Sequence, residues 1–272
     1  MHAFETPGKT RLRVKNPAGS ISVDASESGR TTVELEALRD DDATREAIEG
    51  ATVELNGNEV LVEIGVGGKG FGVGPAWISF GRTPQVGVRI RCPEGADLDC
   101  STASADVSGQ GRLGEVEVKT ASGDVAVEHV AGLRVQSASG DVRGATVDGE
   151  ARLQTVSGDV RLGTVGGAVS ATLVSGDLAI DAADTDLSAK TVSGDQRIGA
   201  VREGQIKLQS VSGDVRVGVR PGTRLHLDVN STSGDVSSEL DVKDRPSDTP
   251  SGSEARLVAK TVSGDVEITR AA

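Results

Sequence analysis

Six aspartates, Asp124, Asp141, Asp159, Asp177, Asp195 and Asp214, recur at intervals of 17 to 19 residues. Carboxylates on a fixed period could ligate hard cations, as calcium is held between the coils of secreted repeat proteins. Those sites use a Gly-Gly-x-Gly-x-Asp frame, whereas each repeat here brings one aspartate, inside a Ser-Gly-Asp tripeptide. The competing reading is a corner, in which glycine supplies an unusual backbone angle and the carboxylate accepts nearby amides. Two unit charges about 4.8 Å apart in water repel by roughly 0.9 kcal/mol. A column of them must therefore be offset by corner amides, by Arg or Lys neighbours, or by cations.

Other chemistry-bearing residues are sparse. His2, His129 and His226 are isolated in sequence and suggest neither a catalytic triad nor a metal cluster. Cys92 and Cys100 both fall on the apolar face of alternating runs, which reads as two buried thiols; a disulfide would need an oxidising compartment. The run from Gly65 to Gly70 matches a dinucleotide fingerprint, but Phe71-Gly72-Val73-Gly74-Pro75 cannot open the helix that the fingerprint requires. Gly8-Lys9-Thr10 fails as a phosphate loop because Ala3 stands where the first glycine belongs.

The element that positions the aspartates is a repeat. Ser-Gly-Asp begins as a degenerate Ser104-Ala105-Asp106 and recurs from Ser122, Ser139, Ser157, Ser175, Ser193, Ser212, Ser233 and Ser263. A period near 18 describes one small unit that is stable only when stacked. Around each tripeptide apolar and polar residues alternate, as in Leu153-Gln154-Thr155-Val156 and Val160-Arg161-Leu162, which is the period of a strand. About ten residues between strands cannot hold a crossover helix and its loops. These features predict an all-β, single-domain parallel β-helix (a β-solenoid) with about 18 residues per coil; they leave its handedness open, with right-handed winding favoured over left-handed.

Residues 101–272 form the regular part, and residues 1–100 fit the same plan more loosely. The segment 40–48 opens with acids and reads as a short helix that caps the N-terminal end. The last repeat, Ser263-Gly264-Asp265-Val266-Glu267-Ile268, is followed by no visible cap, so an open end is expected there. The longer interval before it reads as an insertion within one coil, over about 242–254.

The alternation also assigns faces. It turns the hydroxyls Thr120, Ser137, Thr155, Thr191 and Ser210 inward as a ladder, with Leu173 breaking the column. The same phase turns Val156, Val174, Val192, Val211 and Val262 outward as an apolar stripe that needs a cover or a partner. If the corner resets the phase, the stripe vanishes.

Composition narrows the function classes. The net charge of −12 argues against nucleic acid and against anionic lipid. The start of the chain lacks the basic and apolar regions of a signal peptide, and nowhere is there a run long enough to span a membrane. A cytoplasmic location is expected. Aromatic residues are nearly confined to the Gly-rich loop 65–85, where Phe71, Trp77 and Phe80 either fold back as a lid or form an interaction loop.

The Thr-Val-Ser-Gly-Asp-Val units, the leading Asn16-Pro17-Ala18-Gly19-Ser20-Ile21 and Cys92-Pro93-Glu94-Gly95 resemble the bacterial β-strand-repeat "putative adhesin" family, a family of unknown function with many actinobacterial members. The resemblance runs from about Phe4 to Ile268. It implies a repeated β-architecture and brings no catalytic residue and no cofactor. The expected function is a non-catalytic interaction scaffold, able to self-associate or to hold a protein partner. A surface adhesin or carbohydrate-binding module is the alternative. A polysaccharide-active enzyme stands behind both, for want of long acid-bearing loops and aromatic platforms.

Overall fold

The computed structural model describes residues 1–65, 83–240 and 253–271. They form two compact units, Met1–Glu128 and His129–Ala272.

The first unit holds β1 (His2–Glu5), β2 (Arg11–Lys15), β3 (Ala18–Glu27), β4 (Arg30–Ala37), α1 (Asp42–Glu49), β5 (Thr52–Asn56), β6 (Glu59–Glu63), β7 (Val86–Pro93), β8 (Asp97–Ser101) and β9 (Ser104–Thr120). The first coil in sequence is not the first in space. β2 pairs in parallel with β6 on one side and β8 on the other, and β3 likewise lies between β7 and β9. In register, Leu12 meets Val60 and Leu98, and Ile21 meets Val88 and Val107. All six are buried, which is the reward for alternation on both sides of one strand.

Antiparallel strands cover the outer edges of this unit. β4 pairs with β7, β1 with β4, and β5 with β6. The expected helix forms as α1, with the Asp41 carboxylate accepting the amide of Thr44 at 2.8 Å as N-cap. β4, β1 and β5 supply the strand pairing at these edges, and α1 packs beside β4 and β7 with Thr44 and Ala47 buried.

β10 (Val125–Ser139) begins in the first unit and continues into the second. The second unit then runs through β11 (Val142–Val147), β12 (Ala151–Ser157), β13 (Val160–Val165), β14 (Val169–Ser175), β15 (Leu178–Ala183), β16 (Leu187–Ser193), β17 (Gln196–Val201), β18 (Gly204–Ser212), β19 (Val215–Val219), β20 (Arg224–Ser233), β21 (Val236–Ser238), β22 (Glu254–Ser263) and β23 (Val266–Arg270). Even-numbered strands stack on one another in parallel, and odd-numbered strands do the same across the Ser-Gly-Asp corner. The fold is a parallel β-solenoid, as the period predicts.

One expectation is overturned. The last coil in sequence, β22–β23, is not an open end. It lies between β18–β19 and β20–β21, so the spatial order of the first stack ends β18, β22, β20. The half-exposed end of the unit is the earlier coil β20–β21, whose Leu227 and Val236 are uncovered. The long interval before Ser263 is therefore a step back along the stack, and it is not an insertion within one coil. Among the described residues no helix is long and apolar enough to cross a membrane.

Candidate functional site

The corner is built first. Gly158, Gly176, Gly194 and Gly213 have φ between +129° and +142°, a region L-residues avoid. A Cβ on Gly194 would also stand 2.1 Å from the carbonyl oxygen of Gly176 in the neighbouring coil. Glycine is thus required twice, for the turn and for the stacking distance.

Each aspartate then bonds to the next coil. Oδ1 of Asp141 accepts the amide of Asp159 at 3.0 Å, Asp159 that of Asp177 at 3.0 Å, and Asp177 that of Asp195 at 2.9 Å. Asp195 accepts from Asp214 at 2.9 Å, Asp214 from Asp265 at 2.9 Å, and Asp265 from Asp235 at 2.8 Å. The ladder follows the spatial order of coils, and so it repeats the swap at the end of the chain. In the first unit Asp106 accepts from Asp124 at 3.0 Å. Arg143 and Arg161 donate to the second oxygens of Asp141 and Asp159 at 2.7 and 2.9 Å. Amides and arginines are two of the three offsets that the charge repulsion demands. Among the described residues no cluster of three or more His, Cys, Asp or Glu side chains is arranged to hold a metal.

Behind the corner the hydroxyl column is buried: Thr120, Ser137, Thr155, Thr191, Ser210 and Thr261 point inward, with Leu173 in the same column. Some of these hydroxyls serve the turn. Thr120 accepts the amide of Gly123 at 2.9 Å, and Thr191 donates to the carbonyl of Gly194 at 3.4 Å. The column is a packing position that also accepts hydroxyls, because leucine fits it equally well.

The outward phase holds as well. Val156, Val174, Val192, Val211 and Val262 are 44–54% exposed, one per coil on adjacent parallel strands. Two residues before them on the same face stand Gln154, Thr172, Lys190, Gln209 and Lys260. Three residues after them come the corner aspartates. The stripe therefore divides a polar and basic margin from an acidic one.

Sequence reasoning missed three features. Gln196 is fully buried in a column of apolar residues, facing Leu178 and Val215, and its Nε2 donates to Thr191 Oγ1 and to the Gln209 carbonyl, both at 2.8 Å. His129 and His226 acquire carboxylate partners from neighbouring coils: Nε2 of His129 lies 2.9 Å from both oxygens of Asp148, and Nε2 of His226 is 3.1 Å from Glu254. Their spacing of about one coil was the available signal for the first pair.

Cys92 and Cys100 are free and buried. Desolvation, with Asp24 and Asp99 nearby respectively, pushes each thiol up to about 12, which keeps both protonated and unreactive. At the β20 end an open cleft of about 580 Å³ is lined by Val219, Arg220, Thr223, Leu225, Leu227 and Arg270 among others, with no carboxylate among the described residues of its wall. Phe71, Trp77 and Phe80 lie outside the described residues.

The family model described as Toastrack DUF4097 matches residues 9–269. No curated protein matches the sequence. Among solved structures the chain is similar to a "putative adhesin" from Bacteroides fragilis NCTC 9343, at a TM-score of 0.48 and 11% identity, over 98% of this chain and 95% of that one. It is also similar to a "putative lipid binding protein" from Parabacteroides distasonis ATCC 8503, at a TM-score of 0.48 and 14% identity, over 99% and 96% of the two chains.

Proposed function

This chain belongs to the Toastrack DUF4097 family, and we propose that it is a non-catalytic scaffold that binds through the outward face of the sheet containing β12, β14, β16, β18 and β22. The observation that carries the reading is the valine stripe. Five valines held half-exposed in register, on strands whose inner faces are fully packed, form an apolar surface on a rigid support. A stacked sheet keeps such a surface flat and preorganised, so little side-chain entropy is lost when a partner covers it. Valine adds to this, since its χ1 is already restricted in a strand. The corner aspartates belong to the support, being committed to amides of the next coil.

A cytoplasmic location is part of this reading and fits two free thiols; cell fractionation tests it. The scaffold reading is tested by replacing Val174, Val192 and Val211 together with serine. The variant should keep the wild-type melting profile and lose the stoichiometric associations of the wild type, in the purified state and on isolation from the native cell. Associations that persist unchanged in the variant would sink the reading.

A further inference from the structure

We propose that the stripe is covered by a second copy of this chain, docked face to face about a twofold axis that runs along the valine column; this rests on the scaffold reading above. Charge layout is the argument. On one margin of the stripe Lys190 and Lys260 are exposed and form no ion pair among the described residues. On the other margin Asp177, Asp195 and Asp214 give one oxygen each to an amide and likewise meet no cation among the described residues. A chain with a net charge of −12 thus keeps two lysines unneutralised beside one apolar column.

Distance makes the margins equivalent. Lys190 precedes Val192 by two residues, about 7 Å along a strand, and Asp195 follows it by three, at most about 10 Å. Rotation by half a turn about an axis along the stripe lays valine on valine. It also sets the lysine margin of one copy over the aspartate margin of the other, on both sides at once. Rotation about an axis across the stripe would set lysine on lysine and aspartate on aspartate. Like charges opposed in this way cost several kcal/mol, so the first arrangement is selected.

Size sets the strength. Five coils about 4.8 Å apart and a face about 17 Å wide give on the order of 400 Å² per copy. A standard interface buries about 800 Å² per partner, so this is a weak, reversible dimer. An anionic membrane surface is disfavoured as occupant because the aspartate margin would face it.

The geometry makes a demand that other contacts do not. With the axis along the stripe every valine meets its own copy. Val156→Cys, Val192→Cys and Val262→Cys, made singly in the full chain, should each form a disulfide-linked dimer under mild oxidation. The native thiols are buried and do not compete. Sedimentation of the wild type up to about 0.5 mM should show a monomer–dimer equilibrium that weakens several-fold when salt is raised from low to about 0.5 M. The Lys190→Glu/Lys260→Glu variant should dissociate at least tenfold more readily with unchanged melting.

Cross-linking at one height alone would place the axis across the stripe and overturn the proposal. A strict monomer over the whole range with no cross-link at any height would overturn it too. In that second case the scaffold reading survives if the triple serine variant still loses a stoichiometric partner, and both fall if it loses none.

Discussion

Oδ1 of Asp195 accepts the backbone amide of Asp214 at 2.9 Å, one coil further along the stack. The carboxylate of one repeat thus closes the corner of the next, and each rung depends on the register of the one before it. An ionised acceptor makes such a bond about twice as strong as a neutral one. A column of like charges is tolerable because the carboxylates of Asp141, Asp159, Asp177, Asp195, Asp214 and Asp265 each accept an amide of the next coil, and Arg143 and Arg161 pair with two of them.

Removing one rung should be measurable. Asp195→Ala leaves the amide of Asp214 without its acceptor at a half-buried corner, and the expected cost is about 1–3 kcal/mol. Asp195→Asn keeps an oxygen in place and should cost less than half as much. Urea unfolding of the two variants checks the order. Equal destabilisation would mean that a neutral oxygen in that place recovers nothing and that the rung depends wholly on the charge.

Glycine substitutions should separate clash from conformation. At Gly194 a Cβ would meet the Gly176 carbonyl oxygen at 2.1 Å with φ at +138°, so Gly194→Ala should cost about 3 kcal/mol or more. At Gly95 φ is +74° and nothing lies within 4 Å of the added Cβ, so Gly95→Ala should cost about 1–2 kcal/mol. Thermal melts of the pair give the difference directly.

The corner was legible because one tripeptide carries both its geometry and its bonds, and because the alternation of Leu153, Thr155 and Val156 carries the faces on either side. The order of coils was not. Nothing local distinguishes Ser233-Gly234-Asp235 from Ser263-Gly264-Asp265, since both make the same rung; which of them stacks on Asp214 is decided by fit against β18. β22 presents Ala255, Leu257 and Ala259 to the core on both sides, whereas β20 places Arg224, His226 and Asp228 on its outer phase and leaves Leu227 uncovered. Gln196 escaped notice for the opposite reason: its column is apolar elsewhere, and its partners Thr191 and Gln209 come close only after the coil has closed.

The buried thiols make stability depend on pH at the alkaline end. Each folded-state value lies near 12 against an ordinary 9.0, so between these limits the unfolded chain has released protons that the folded chain still holds. The contribution is full below about pH 9 and is lost as pH rises toward 12. Cys92→Ala/Cys100→Ala should be less stable than wild type at pH 8, and the gap in urea midpoint should narrow steadily above pH 9. Disulfide-exchange reagents at pH 8 should label wild type at the rate of its unfolding. A gap independent of pH would contradict the burial of the thiols.

The swapped order of coils predicts an unusual response to truncation. In a simple solenoid the last coil in sequence is the outermost, and its removal shortens the stack without disturbing what remains. Here β22 and β23 separate β18–β19 from β20–β21. Ending the chain after Leu240 empties the layer on which β20 and β21 are paired. The rungs from Asp214 to Asp265 and from Asp265 to Asp235 go with it. β20 could drop onto β18 in their place, but that move would set Leu225, Leu227 and Val229 against the inner column that Ala255, Leu257 and Ala259 now fill. Leucine for Ala255 and valine for Ala259 overfill that column, and overpacking of this kind costs about 1–3 kcal/mol. Hydrogen exchange should therefore find 224–238 unprotected in the truncated chain while strands up to β17 keep their protection. Full protection of 224–238 after truncation would show that the two coils are interchangeable and that the order seen here is not enforced by packing.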